Sequence, residues 1–334
     1  MLFRPLAALA ALAFCGAAAA AEPVTARVGV IPVIGVAPYF VAEGEGLLKA
    51  SGIATTLPTF ESGPHMIQAV ASGTIDVYIG GIAPLAVARA KGVDIRVIAA
   101  TATGENVFVA GPKLAPYFQG KTPTEAFKAF HAAAGKAARL ATQPAGSVPN
   151  TTLQYWLWEV AKADKADAEV VPMGIDATQQ AVLAGAVDGA IVREPAVSII
   201  TGRNPAVKLI ATGNELFPSQ PGTVVAVIGA FADKHPDATQ ALVTSLVKAT
   251  DIIAQTPDKA VPYIEAALGK GIVDTATIKA ALASPATHFE IDPRKIIEPA
   301  RAMQAYQVKL GSLDKELPFD GLFVTKYYES AVAK

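Results

Sequence analysis

The sequence predicts an α/β fold of two lobes built alike, each a mostly parallel sheet flanked by helices. The first observation is a repeat: residues 68–88 and 180–200 align without gaps and share Gln, Ala, Val, Gly, Asp and Ile at matching places. The copies lie 112 positions apart, too far for a solenoid, which repeats every ~20–50 residues. The second observation is the alternation of short apolar strands with helical segments joined by short loops, which favours parallel sheets covered on both faces.

The first part of the chain predicts a β-α-β-α-β-α-β series. Pro38 suits the first turn of a helix, and Gly52 and Gly92 mark places where helices end. The predicted strands cover residues 28–31, 55–60, 75–79 and 95–99, and the predicted helices cover 38–50, 64–72 and 84–91.

The second lobe is expected to begin after a polar interruption at 103–106, which we interpret as the first crossing between lobes. Thr122 and Glu125 form a capping box with Pro123 at the first helical position, so a helix begins there and ends near Gly135. A loop at 143–151 leads into an amphipathic helix. The other elements of this lobe are strands at 107–110, 138–142, 169–172, 187–192 and 208–211, and helices at 176–184 and 196–201.

A strand at 222–229 is expected to return the chain to the first lobe, and the remainder is predicted to be helical. The predicted helices cover 235–256, 258–268, 274–283 and 292–310, the last with a kink at Pro299. An aromatic cluster in the tail, from Phe319 to Tyr328, is expected to dock on a lobe. The expected division is 22–106 with 227–334 as lobe 1, and 107–226 as an inserted lobe 2, with the ligand cleft between them.

Composition narrows the class of protein. The chain has 334 residues and a formal net charge of -1, which favours neither nucleic acid nor an anionic membrane as partner. Residues 1–21 contain one charge, Arg4, followed by an apolar run and by small residues at Ala19–Ala21. This pattern predicts a secretory signal peptide and therefore a periplasmic product. We expect that product to be a monomer. Cys15 is the only cysteine, and lipid anchoring there is disfavoured because Phe14 precedes it.

No motif for catalysis, metal or cofactor binding is found in the sequence. The four histidines are widely spaced, a mature chain beginning at Glu22 has no thiol, and glycine-rich phosphate and dinucleotide motifs are absent. We therefore expect no cofactor, no metal and no catalytic residue.

The candidate binding residues lie in loops at the carboxyl ends of the predicted strands, where open α/β sheets place ligands. Ser147, Asn150 and Thr151 precede a helix N-terminus, which favours anions, although N-capping explains them equally well. Arg193 ends an apolar strand and can hold a carboxylate or sulfonate through two N–H groups, unless it pairs with Glu194 or lies at the surface. Glu194 is a candidate partner for a ligand amine.

Four further candidates come from the first lobe. Gly81 follows the strand of the first repeat copy, at the place that Arg193 occupies in the second. Ser62 and His65 lie in or beside the loop after the second strand, and Tyr39 begins the first helix. For His65 and Tyr39, simple exposure or packing competes with ligand binding. The repeated acidic residues, Asp76 and Asp188, are instead expected to bond nearby backbone N–H groups.

Several segments together resemble a known family. They are GEGLL at 44–48, the A-x-x-x-G-x-x-D pattern before each repeat strand, F-x-x-x-H-P at 231–236, and G-x-L before the final aromatic helix. The chain is similar to periplasmic solute-binding proteins of ABC importers in the nitrate/sulfonate/taurine (NMT1-like) family. The resemblance implies the two-lobed venus-flytrap fold of type II, which hinges shut on a small solute. It also implies delivery of that solute to a membrane permease and its ATPase.

Two departures bear on the ligand. The resemblance implies an aromatic residue before the second-lobe Glu-Pro, but this chain has Arg193 there, which favours an anionic organic solute such as a sulfonate or carboxylate. The loop at 146–151 is also longer than the family's turn. Two alternatives stay open: a thiamin-pyrimidine-type binding protein or synthase-like enzyme, and a periplasmic sensor that presents its bound ligand to a receptor.

Overall fold

The computed structural model describes residues 22–269 and 273–333. The predicted signal peptide and Cys15 lie outside the described residues. None of the helices within those ranges combines the length and apolar character that a membrane span requires.

The first lobe begins with a β-α series close to the predicted one. Its strands are β1 Val24–Val30, β2 Ile53–Thr56, β3 Val77–Gly81 and β4 Ile95–Ala100. Its helices are α1 Ala37–Gly44, α2 Leu47–Ala50, α3 Gly63–Ala71 and α4 Ala83–Ala90. The helix expected over 38–50 is therefore two helices, because Gly46 takes a left-handed φ of 73° between them.

The short strand β5 Ala102–Thr103 leads into the second lobe. The strands of that lobe are β6 Val107–Ala110, β7 Ala138–Thr142, β8 Ala168–Pro172, β9 Gly189–Val192 and β10 Lys208–Ala211. Its helices are α5 Pro123–Ala134, α6 Val148–Tyr155, α7 Ile175–Leu183, α8 Ala196–Arg203 and α9 Gly213–Leu216. The capping box predicted at Thr122 and Glu125 is present, and α5 ends at Gly135 with φ 67°.

The remainder of the chain returns to the first lobe. It contains strand β11 Thr223–Ile228, helices α10 Gly229–Lys234, α11 Pro236–Gln255, α12 Pro257–Leu268 and α13 Thr275–Leu282, strand β12 His288–Phe289, and helices α14 Ile297–Lys309 and α15 Lys326–Val332. The kink expected at Pro299 is wrong. The break lies earlier, where a 3-10 turn at Pro293–Ile296 precedes α14, and Pro299 fits in the first turn of that helix.

The two sheets have the same strand order. The first is β2-β1-β3-β11-β4 and the second, read from the equivalent edge, is β8-β7-β9-β6-β10. In each sheet the strand that arrives from the other lobe, β11 or β6, is antiparallel to its neighbours, and the other pairs are parallel. The whole of β11 lies in the first sheet. The second crossing therefore ends before Thr223, earlier in the chain than the boundary expected at 226. The fold is therefore α/β with two similarly wound sheets, as predicted.

The repeated acidic residues accept the same backbone hydrogen bond in the two lobes, and Asp76 also accepts from the Arg27 guanidinium. Asp76 accepts a hydrogen bond from the Arg27 backbone N–H (3.0 Å), and Asp188 accepts one from the Arg139 backbone N–H (2.9 Å). Each arginine also donates to a backbone carbonyl of the adjacent turn, at Gly73 or Ala186. The expectation of a structural role for both carboxylates is confirmed, and the two equivalent arginines extend the repeat.

Each lobe has its own apolar core. The first core joins β1, β3, β4 and β11 with α1, α11 and α12, and the predicted aromatic tail packs against it through Phe319, Phe323, Tyr327 and Tyr328. The second contains a cluster of aromatic rings, in which Phe108 lies 4.6 Å from Trp156 between ring centroids. The first core also includes Val148, Ile199 and Phe217 of the second lobe, so apolar contacts join the two lobes.

Candidate functional site

The carboxyl ends of the parallel strands in the two lobes face each other across a cleft, and several contacts cross it. The Ile34 amide, after β1, donates to the Glu194 carbonyl after β9 (2.9 Å). The Glu61 carbonyl, before α3, accepts from the Ile175 amide that begins α7 (3.3 Å). The lobes therefore meet through the loops that the sequence marked as ligand-binding.

A cavity of about 340 Å³ opens between these loops. The first lobe contributes Pro32, Val33, Leu268 and Val273, and the second contributes polar side chains from the ends of β7 and β9 and from α7. These polar residues include Gln143, Asp176, Arg193 and Glu194. This volume is in the lower part of the range of small-molecule sites, about 300–1,000 Å³.

Arg193 lines the cavity and is 4% exposed. Its Nη1 donates to Glu105 Oε1 at 3.2 Å, which makes a buried ion pair. The pair differs from both alternatives raised by the sequence, since Arg193 neither lies at the surface nor pairs with Glu194. Among the described residues, this bond to Glu105 is the only hydrogen bond that the Arg193 side chain makes, although its guanidinium has five N–H donors.

Glu105 lies in the segment that first crosses between the lobes and is 3% exposed. Its Oε1 also accepts a 2.6 Å hydrogen bond from the Thr223 hydroxyl at the start of β11, directly after the second crossing. Its Oε2 has no partner among the described residues and faces Gly35, where an added Cβ would lie 2.2 Å from it. The absence of a side chain at Gly35 thus makes room for the carboxylate.

The two crossing segments are tied together beside this ion pair. Gln220 Oε1 accepts both the backbone N–H of Asn106 (2.8 Å) and its side-chain amide (2.9 Å). The amide of Thr101 donates to the Thr223 carbonyl (2.9 Å). This paired strip is the natural place for a hinge, so Glu105 links the hinge to the cavity.

Glu194 lines the same cavity and is 3% exposed. Its Oε2 accepts the backbone N–H of Ser198 in the first turn of α8 (3.0 Å). Burial raises the pKa of the Glu194 carboxyl, and hydrogen bonds from Ser284 and Ser198 oppose that rise. The side chain therefore caps a helix while presenting a costly buried charge beside the cavity.

Ser147, Asn150 and Thr151 are all buried at the start of α6. Ser147 caps the helix by accepting the Asn150 N–H (3.2 Å), and the Thr151 hydroxyl donates to the Ser147 carbonyl (2.8 Å). The loop expected over 143–151 is shorter than predicted, because the helix begins at Val148 and takes in Asn150 and Thr151. The capping interpretation of Ser147 is thus observed.

Gly81 and Ser62 lie on the facing side of the cleft and are also buried. A Cβ added at Gly81 would lie 2.8 Å from Val148 Cγ2, so α6 of one lobe packs directly against the end of β3 in the other. Ser62 caps α3 and accepts the His65 N–H at 3.4 Å. The structure thus brings Gly81 together with the Ser147 turn.

Two further candidate residues lie outside the cavity lining. Tyr39 is fully buried in the core of the first lobe, with its ring 6.2 Å from that of Phe40, and burial raises the pKa of its hydroxyl. The His65 side chain is exposed on α3. For Tyr39 the packing interpretation is what the structure shows, because this face of α1 is turned towards the sheet.

Sequence reasoning missed Glu105, Thr223 and Gln143. Glu105 was assigned to a crossing segment without a role, although a charged residue between two buried strands was a usable signal. Its partner could not be read from the sequence, because the two residues lie 88 positions apart. Among the described residues, no group of three or more metal-ligating side chains is found.

Comparisons with known proteins give consistent results. The model of the NMT1-like family matches residues 19–266. The nitrate import ATP-binding protein NrtC of Synechococcus elongatus is 25% identical over 249 residues, which cover 71% of this chain and 36% of that protein. The chain thus spans about a third of the length of this curated relative.

Solved structures share the fold at low identity. The periplasmic nitrate-binding protein NrtA from Synechocystis PCC 6803 matches with a TM-score of 0.77 at 16% identity, over 93% of this chain and 89% of that one. The alkanesulfonate-binding protein SsuA from Xanthomonas axonopodis pv. citri, bound to MOPS, matches with a TM-score of 0.72 at 19% identity, over 92% and 100% of the two chains. At these identities the structures show a shared fold.

Proposed function

The chain belongs to the NMT1-like family, and from that premise we propose that it is the solute-binding protein of an ABC importer. It captures a small organic solute in the cleft between its lobes, which close around the solute by hinge motion at the two crossing segments. The solved structures that share its fold include nitrate- and alkanesulfonate-binding proteins, which supports this class of function.

One observation carries the proposal for the solute. Among the described residues, Arg193 is the only cation that lines the cavity between the lobes, and most of its N–H donors are uncommitted to protein groups. A planar guanidinium in a desolvated site binds a carboxylate or sulfonate through paired hydrogen bonds. We therefore assign the solute an acidic group, a carboxylate or sulfonate, that contacts Arg193.

The remaining contacts assigned to the solute come from the same cleft. Gln143 and Glu194 line the cavity, and the Ser147 turn, Ser62 and Gly81 form the facing surfaces where the lobes meet. His65 lies at the rim of this region, and Tyr39 acts through the packing of α1. These assignments remain proposals that mutagenesis can test one residue at a time.

The partners follow from the class of protein. We propose that the loaded, closed form is recognised by a transmembrane permease with its ATPase, and that the protein acts in the periplasm as a monomer. The match to a nitrate import ATP-binding protein places a related sequence within an ABC import system. The role is binding and delivery, so no catalytic residue is assigned.

A thermal-shift screen tests this function. Sulfonates, carboxylates, nitrate, pyrimidines and amines would each be added to the purified protein, with and without an amino group where the compound allows. A true solute at ~100 times its Kd adds ~2.7 kcal/mol of stability, a clear rise in Tm. Stabilisation only by compounds that carry no acidic group would contradict the assignment.

A further inference from the structure

The charges around the cavity do not suit a simple anion. Among the described residues that line it, Arg193 is the only cation, whereas Glu194 and Asp176 are acidic. Arg193 itself is already paired with Glu105, whose carboxylate is buried behind it. A solute with only a negative group would therefore add charge to a site where carboxylates already outnumber the guanidinium.

Glu105 is held in place by groups other than Arg193. The Thr223 hydroxyl donates to its Oε1 at 2.6 Å, and the space over Gly35 accommodates its Oε2. Glu105 belongs to the first crossing segment, and Thr223 directly follows the second. The carboxylate is thus fixed beside the guanidinium at 3.2 Å, and a solute that binds Arg193 also meets the field of Glu105.

The second carboxylate oxygen of Glu105, Oε2, is buried and has no hydrogen-bond partner among the described residues. A buried carboxylate oxygen without a donor is costly, and a nearby positive or N–H group lowers that cost. The Glu194 carboxylate is also desolvated beside the cavity, although it accepts the Ser198 N–H.

We propose that Glu105 is a specificity-determining residue, which cancels the charge of Arg193 and so excludes solutes whose only charged group is an acid. The solute that the cleft accepts is a zwitterion with no net charge, whose acid group contacts Arg193 and whose amine faces the carboxylate side of the cavity. This inference rests on the proposed function and narrows its solute class.

The physical reason is that Coulomb interactions are strong where water is excluded. Opposite charges in close contact attract each other several times more strongly near a protein surface than in bulk water. An anion near Arg193 gains such an attraction but loses a comparable part of it to Glu105. A zwitterion recovers the loss, because its amine is attracted to the same carboxylates.

Matched pairs of solutes and the isosteric variant Glu105→Gln test the proposal. The pairs are ethanesulfonate with 2-aminoethanesulfonate, and propionate with 3-aminopropionate. The wild-type protein is expected to bind the amino member at least ~10-fold more tightly, a difference of ~1.4 kcal/mol. In Glu105→Gln, the amine-free members should gain at least ~10-fold in affinity, and Tm should rise when they are added.

Two further variants make the result specific. Glu105→Gln with Arg193→Gln removes both charges and should bind neither member of a pair, which shows that any gained affinity comes from Arg193. Glu105→Asp shortens the side chain by one methylene, which moves the carboxylate away from Arg193, and should show a smaller gain in affinity for the amine-free solutes. This variant tests the proposal if Glu105→Gln folds poorly.

The outcomes separate this inference from the proposed function. If Glu105→Gln and Glu105→Asp gain no affinity for ethanesulfonate or propionate, Glu105 does not exclude anions. Equal wild-type affinity for both members of a pair overturns the inference and leaves the proposed function standing. If the wild type binds no tested solute but Glu105→Gln acquires anion binding, the exclusion by Glu105 holds and the proposed solute class fails.

Discussion

Gly81 limits how closely the two lobes approach each other, and Gly81→Ala tests that contact. The added Cβ would lie 2.8 Å from Val148 Cγ2 and 3.4 Å from Val148 Cβ, on the opposite lobe. Gly81 does not have a left-handed φ, so alanine fits its backbone without strain. The substitution is therefore expected to act on closure and not on the folding of the first lobe.

The expected size of the effect follows from the distance. Carbon atoms in favourable contact lie ~3.5–4.0 Å apart, so the lobes must separate or Val148 must leave its rotamer. Overpacking of this kind costs ~1–3 kcal/mol. That cost lowers the ratio of closed to open molecules by a factor of ~5–150, because each 1.4 kcal/mol is about tenfold.

The distance between the lobes can be measured directly by electron paramagnetic resonance. The chain has one cysteine, Cys15, which would be replaced by serine. Spin labels would then be attached to cysteines introduced at Lys49 and Lys165, which are exposed and lie in different lobes. Gly81→Ala should shift the distance distribution towards longer distances.

Two controls make this measurement decisive. Val148→Ala combined with Gly81→Ala removes the methyl groups that clash and should restore the wild-type distribution. Gly202→Ala adds a Cβ that meets no atom within 4 Å and should change nothing. A Gly81→Ala distribution equal to that of the wild type would refute the argument that these two surfaces meet when the lobes close.

Three other predictions concern stability. Asp76→Asn weakens the ion pair with Arg27, whose side chain is 44% exposed, so solvent screening limits the expected loss in urea unfolding to ~1 kcal/mol. Equal stability of variant and wild type would contradict it. Asp188→Asn should cost less, because among the described residues Asp188 accepts from the Arg139 backbone N–H and not from its guanidinium. Burial raises the pKa of Asp76, but the hydrogen bonds and charge of Arg27 together lower it further, so the folded-state pKa lies below the unfolded-state pKa. The stability that the Asp76 carboxylate contributes is therefore present above the unfolded-state pKa and should be lost as pH falls through the lower folded-state value. Burial raises the pKa of Glu194, so stability is lost as pH rises from the unfolded-state pKa through the folded-state pKa. Glu194→Gln should therefore flatten the dependence of Tm on pH in this range. An unchanged dependence of Tm on pH would count against the prediction.

The fold could be predicted because its signals are local. Glycines that end helices, prolines in first helical turns and alternating apolar strands each depend on a few neighbouring residues, and they placed β7 and β10 at their observed bounds. The repeat added long-range information, since equal spacing in two copies implies equal lobes. The break at Gly46 was missed although Glu-Gly-Glu-Gly at 43–46 interrupts the apolar pattern there.

The site was predicted less completely because it depends on pairs of residues far apart in the chain. Arg193 could be identified as a charge at the end of an apolar strand, but its partner Glu105 depends on where the chain crosses between the lobes. Tyr39 was misplaced because the start of a helix does not show which face meets the sheet. Asn150 and Thr151 were placed in a loop because Pro149 hid the helix start at Val148.

The central claim is that Arg193 holds the acid group of the solute, and calorimetric titration of Arg193→Gln tests it most directly. The solute would be the compound that most stabilises the wild-type protein in the screen, and the double variant with Glu105→Gln would control for an unpaired buried charge. The account predicts a loss of at least ~30-fold in affinity for both variants, because truncating one partner of a buried charged contact costs ~2–5 kcal/mol. Affinity within ~3-fold of the wild type in the folded variants, ~0.7 kcal/mol, would contradict the account.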